Sequence, residues 1–232
     1  SGTLILAGTN SYTGGTTVNG GTLLVHGTVG SVTVASGGTL GGYGYVGNTS
    51  VASGGTIAAG ASVGLLNVAN LTLASGSAMT WQLNDATQIA GTGYDLIVAS
   101  TLDLSGLSAA NRATLNLMTL ANASDNVSGT PIAFNAALTN QSFTLVNYSA
   151  LNLGSNSSVS NLFTISTTGF KDQLGASVSA ANFTVINDAA NNSLKLLYTA
   201  PIPEPSTYGL ALGFLSLAAV AVRRRRPQSV TP

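Results

Sequence analysis

The chain has 232 residues, of which 44% are apolar and 6% charged, with no cysteine and a formal net charge of zero. An ordinary domain carries about 25% charged residues, so this composition excludes a disordered polyelectrolyte, and the missing cysteines exclude a disulfide framework and thiolate metal sites. The zero conceals an asymmetry: residues 1–200 hold six Asp against Arg112, Lys171 and Lys195, and a body of −3 offers no footprint for nucleic acid or an anionic membrane surface.

The chain starts Ser-Gly-Thr in the middle of a repeat and is read as the C-terminal piece of a longer protein. Residues 1–84 contain no Asp, Glu, Lys or Arg and hold nineteen of the twenty-eight glycines. Gly2-Thr3-Leu4 returns as Gly21-Thr22-Leu23, Gly38-Thr39-Leu40 and Gly55-Thr56-Ile57, at intervals of 19, 17 and 17 residues. The longer unit Val34-Ala35-Ser36-Gly37-Gly38-Thr39-Leu40 recurs as Val51-Ala52-Ser53-Gly54-Gly55-Thr56-Ile57, with a looser echo at Leu73-Ala74-Ser75-Gly76-Ser77. A fixed period of this size signals a repeat architecture.

Short β-branched and Leu-rich runs predict strands at Thr3–Leu6, Thr16–Val18, Thr22–Val25 and Val32–Val34, separated by Gly-Gly, Asn-Gly and Ser-Gly turns. Such units are too short for strand–helix–strand crossovers. They predict a parallel β-solenoid whose coils stack about 4.8 Å apart, each burying the apolar face of the next. The stretch from Gly2 to Leu23, with Asn10-Ser11-Tyr12-Thr13-Gly14-Gly15 at its centre, resembles the autotransporter-associated strand repeat, also called the passenger-associated transport repeat. That resemblance implies a right-handed β-helix on an exported stalk. The outer-membrane barrel of an autotransporter has no counterpart in these residues.

Three patterns in this region invite chemical readings. His26 is the lone histidine, and with no carboxylate in residues 1–84 to orient it, an outward-facing strand position is expected. Gly42-Tyr43-Gly44-Tyr45-Val46-Gly47 satisfies G-x-G-x-x-G but lacks the βαβ setting and the acid that a dinucleotide site requires, so solenoid corners are expected and no cofactor is assigned. Gly60-Ala61-Ser62-Val63-Gly64 spells a nucleophile elbow, yet a hydrolase of that fold orders its triad Ser, acid, His, and His26 precedes Ser62.

From Asp85 to Ala200 glycine falls to seven residues while nine charges enter. Strands are predicted at Asp95–Ala99, Thr114–Leu120, Ser142–Tyr148, Leu162–Ser166, Phe183–Ile186 and Leu194–Tyr198. Residues 1–84 are therefore assigned to Gly-rich repeats and 85–200 to irregular final coils plus a β-rich cap, which a solenoid needs to cover its last apolar face. Asp85, Asp95, Asp103, Asp125, Asp172 and Asp188 are scattered singly and read as solvated turn residues. No metal site is assigned.

Residues 201–232 change character. Pro203-Glu204-Pro205 is followed by an apolar run, Tyr208 to Val222, and then by Arg223, Arg224, Arg225 and Arg226. The prolines bar a helix from spreading upstream and Ser206 is a suitable N-cap, so one C-terminal transmembrane helix is predicted. Its fifteen residues span about 22 Å against a hydrocarbon core of about 30 Å, which leaves it dependent on its flanks. The arginines place the C-terminus in the cytoplasm and the body on the far side. These elements, in this order, resemble the PEP-CTERM sorting signal of exopolysaccharide-producing Gram-negative bacteria. The resemblance implies recognition by an exosortase-type processing protease near Pro203, Glu204 and Pro205, passage through an inner-membrane intermediate, and release to the cell envelope or extracellular matrix. A plain single-span anchor is the alternative.

The expectation is an all-β, non-enzymatic, exported structural or adhesive protein associated with exopolysaccharide. Two rivals are a β-helix carbohydrate-active enzyme of polysaccharide-lyase type, with its site outside these residues, and an inert membrane-tethered spacer.

Overall fold

The computed structural model describes residues 2–124, 126–137 and 140–201. Residues 1–200 fall in one compact unit; the transmembrane helix expected in residues 201–232 lies outside the described residues. Among the described residues the body is all-β, with one 3₁₀ turn at Ala180–Asn182, and no helix is long and apolar enough to cross a membrane.

In chain order the strands begin with β1 (Thr3–Leu6), β2 (Thr16–Val18), β3 (Gly21–Val25), β4 (Thr28–Val29) and β5 (Val32–Val34). They continue through β6 (Gly38–Gly42), β7 (Tyr45–Val46), β8 (Thr49–Val51), β9 (Thr56–Ala58), β10 (Leu65–Leu73) and β11 (Ala78–Leu83). The last six are β12 (Leu96–Asp103), β13 (Ala113–Thr119), β14 (Gln141–Asn152), β15 (Phe163–Gly169), β16 (Phe183–Asp188) and β17 (Ser193–Tyr198). The chain alternates between two sheets. The first runs β1-β3-β6-β9-β11-β13-β15 with every pair parallel. The second runs β2-β5-β8-β10-β12-β14 in parallel and then turns antiparallel at β17 and β16. The short β4 and β7 pair with each other, and β7 continues onto the first half of β10.

Register shows how far the period extends. Thr3, Thr22, Thr39 and Thr56 face one another at intervals of 19, 17 and 17 residues. Thr56 then pairs with Ala78, Ala78 with Thr114 and Thr114 with Thr164, intervals of 22, 36 and 50. The expected 17–19-residue spacing thus holds for three rungs and lengthens before residue 84. The added residues lie mainly in the connections, at 59–64, 84–95, 104–112 and 120–140, while the first-sheet strands keep their alignment up to a register shift between Asn116 and Met118 of β13 against β15.

Alternation drives burial. Leu23, Leu40, Ile57, Met79 and Leu115 form one inward line on the first sheet and Val18, Val34, Val51 and Leu73 another on the second, all buried in a single core. Each such side chain contributes roughly 1.5–3 kcal/mol of transfer free energy. At the turn from second sheet to first, Gly37, Gly54 and Gly76 have φ of +81°, +75° and +74°. Gly37 N–H donates to the Gly54 carbonyl and Gly54 N–H to that of Gly76, both at 2.9 Å, so the Ala-Ser-Gly turns stack in register like the strands.

At the C-terminal end the antiparallel β16–β17 hairpin covers the free edge of β14. Phe134, Phe170, Phe183 and Tyr198 pack beneath it with ring centroids 5.0–6.5 Å apart. Phe134 arrives from the 120–140 connection and is 0% exposed.

Candidate functional site

The outward residues of the second sheet form an ordered surface. Thr17, Thr33, Ser50, Thr72, Asp103 and Asn152 are register partners in one column. A second column contains Asn70, Thr101 and Ala150, and Asn70 Nδ2 donates to Asn48 Oδ1 of the preceding rung at 2.7 Å. A third runs Thr28, Tyr45, Asn67, Val98 and Asn147. Rungs are about 4.8 Å apart, and positions two residues apart on a strand about 6.6 Å. Between β5 and β10 this surface dips into an open groove of about 370 Å³ lined by Ser31, Thr33, Asn48, Ser50, Asn70 and Thr72. Composition pointed only to a Thr/Ser/Asn-rich exterior. The alternation in Val32-Thr33-Val34, Thr49-Ser50-Val51 and Leu71-Thr72-Leu73 is the signal from which these columns could have been found.

The outer face of the first sheet carries the line Thr3, Thr22, Thr39 and Thr56. Its groove of about 260 Å³ has a more apolar floor, with Leu24 and Ala58, and Asn126 on its wall. Asn126 Nδ2 donates to the Ala61 carbonyl and Asn126 Oδ1 accepts from Gln82 Nε2, fixing that wall.

The sequence motifs resolve into structure. Gly42 has φ +109° at the end of β6, and an added Cβ would overlap the Val25 carbonyl, so G-x-G-x-x-G is a corner. Ser62 is 7% exposed and its hydroxyl donates to the Ala123 carbonyl at 2.7 Å. His26 lies just past β3, half-buried, its ring stacked on Tyr43 at 4.1 Å with Nε2 shielded. The expected outward strand position is corrected to a corner held by stacking across rungs.

Four acids are held by local turns or an ion pair. Asp85 accepts from Thr87 N–H and hydroxyl, Asp103 from Ser105 N–H, and Asp172 from Leu174 and Ala176 N–H. Asp188 pairs with Lys195 at 2.6 Å, and the hydrogen bonds from Lys195 and Asn191 hold its carboxyl below the ordinary range. Asp125 lies outside the described residues. Among the described residues there is no cluster of three or more potential metal-ligating His or acidic side chains.

Two acids depart from the solvated-turn reading. Asp172 is 6% exposed, drawn under its own turn, and Asp95 is 2% exposed. Asp95 Oδ1 accepts from Gly64 N–H at 2.9 Å and Oδ2 from Gln82 N–H at 3.0 Å, while Trp81 Nε1 donates to its carbonyl at 2.9 Å. It clamps the 59–64 loop to β11. Burial pushes its carboxyl well above the usual 3.8, outweighing the two N–H bonds that pull it down. A raised folded-state value means the folded protein binds more protons, so this stabilisation is complete below the unfolded value and is lost as pH rises through the folded one. Urea midpoints should therefore fall on raising the pH above about 4, and Asp95→Asn should flatten that slope; equal slopes in both proteins would remove Asp95 as the cause.

Pro203, Glu204, Pro205, Arg223, Arg224, Arg225 and Arg226 lie outside the described residues. The class defined so far is an all-β, charge-poor body preceding an address-like tail. Two family models match the chain: the passenger-associated-transport-repeat over residues 1–25 and the PEP-CTERM protein-sorting motif over residues 201–226. No curated protein matches it. The first match covers β1 to β3, where the Gly-Thr-Leu ladder begins; the second contains the Pro-Glu-Pro and the arginines. A PEP-CTERM motif implies processing by an exosortase and export to the envelope or extracellular side.

Proposed function

We propose that this chain is the β-solenoid body and sorting tail of an exported structural or adhesive protein, held in exopolysaccharide-rich material at the cell surface or in the extracellular matrix. Residues 1–84 supply regular coils, 85–200 longer coils and the cap, and 201–232 the tail. The tail crosses the inner membrane transiently with Arg223–Arg226 inside. The body has no catalytic role in this reading; its described acids serve turns, an ion pair and the Asp95 clamp.

The observation that carries the reading is the outer face of the second sheet, where uncharged hydroxyl and amide groups recur at strand spacing over successive rungs. Single contacts of this kind are weak, and repetition along a polymer converts them into retention by multivalency. Fractionating a producing culture tests it. The protein is expected in the matrix fraction, to be released when the matrix polysaccharide is digested, and to leave polymer length unchanged when incubated with it. Recovery as free protein in the medium of an intact matrix, or shortening of the polymer, would overturn the reading.

A further inference from the structure

We propose that the second sheet's outer groove, from β5 to β10, binds an uncharged, extended polysaccharide running across the strands along the stacking direction. The inference rests on the matrix reading above and adds the site, the ligand's charge class and its orientation. Two rows of hydrogen-bonding groups border the groove: Ser31, Asn48 and Asn70 on one side, Thr33, Ser50 and Thr72 on the other. Within a row the groups repeat about every 4.8 Å, close to the advance of one sugar in an extended glycan, and the rows stand about 6.6 Å apart, so each rung can address both edges of one sugar.

The polar groups are arranged for an external partner. The Asn70-to-Asn48 bond locks both amides across the rungs yet leaves N–H groups on Asn48 Nδ2 and a lone pair on Asn70 Oδ1. Tyr45 lies three residues before Asn48 and is 46% exposed, paired on either side with Thr28 and Asn67, so its ring offers an apolar platform to the C–H face of a sugar. Charge selects the polymer. The three columns hold no Lys or Arg, and their one charged member, Asp103, extends the Thr72 column. With a body of −3, a polyuronate or sulfated glycan would be repelled.

The test uses the full chain in mild detergent, with insoluble cellulose and its soluble oligosaccharides as neutral probes and a polyuronate as the anionic one. Co-sedimentation with cellulose is expected, insensitive to salt, with no retention by the polyuronate. Asn48→Ala with Asn70→Ala should weaken binding about tenfold, as loss of two modest hydrogen-bonding groups implies. Tyr45→Ala should act in the same direction, while Thr39→Ala with Thr56→Ala on the first sheet should leave binding unchanged. Circular dichroism and melting of each variant separate lost binding from lost fold. Equal losses in the first-sheet variant, retention by the polyuronate alone, or binding of neither probe would overturn this site. If the protein still fractionates with the matrix after any of these results, the matrix reading survives and only the site falls.

Discussion

Replacing Phe134 by alanine is expected to destabilise the body by about 3–5 kcal/mol, a large share of the roughly 5–15 kcal/mol that holds a typical domain folded. Phe134 belongs to no strand. Its ring fills the space between the final rungs and the closing hairpin, with centroids 5.1 Å from Phe170 and 5.0 Å from Tyr198. Gln173 N–H also bonds the Phe134 carbonyl at 2.8 Å, so two connections meet at this residue. The cluster seats β16 and β17, and its loss should expose the edge of β14 as well as leave a cavity. Urea unfolding of wild type and variant measures the effect. A loss below about 1 kcal/mol would mean the hairpin stands without its aromatic plug.

Changing Pro203 and Pro205 together to alanine is expected to abolish processing while leaving the tail's hydropathy nearly unaltered. Proline lacks an N–H group and bars a helix from continuing through it, so on the proposed reading alanine at both positions would let the tail's helix extend back through the motif. A protease that reads an extended Pro-Glu-Pro loses its substrate, and full-length protein should accumulate in the inner membrane. Mass spectrometry of the C-terminus from a producing host distinguishes the possibilities. Identical intact termini in altered and unaltered protein would reduce the tail to a plain anchor.

Much of this fold was legible in local sequence because its strands are short and punctuated. Thr3–Leu6, Thr16–Val18 and Val32–Val34 were read from β-branched runs between glycines and form as predicted. The Thr-Leu phrase also persists beyond residue 57: register carries Thr56-Ile57 onto Ala78-Met79, then Thr114-Leu115 and Thr164-Ile165. Insertions between rungs hide it in the sequence, because the spacing grows from 17 to 22, 36 and 50 residues. Asp95 was illegible for another reason. Its N–H partners, Gly64 and Gln82, are 31 and 13 residues away, and nothing adjacent to it reports that they converge. The polar columns required register too, because Asn48 and Asn70 are 22 residues apart in the chain.

The lengthening of the connections, with strand register kept from β1 to the first half of β13, sets what this architecture tolerates. Each doubling of a flexible loop costs about 0.6 kcal/mol in closure entropy, so the exposed tip at 87–89, away from the buried Asp95 clamp, can take on a foreign segment and display it beside the body at little expense in stability. A single residue inserted within β12 has the opposite effect. It would move half of that strand by one position, swing Leu102 toward solvent and draw Asp103 toward the core, breaking their register with Leu71 and Thr72 of β10. New material is therefore accommodated at an exposed corner tip far more readily than within a strand that carries a line of buried side chains.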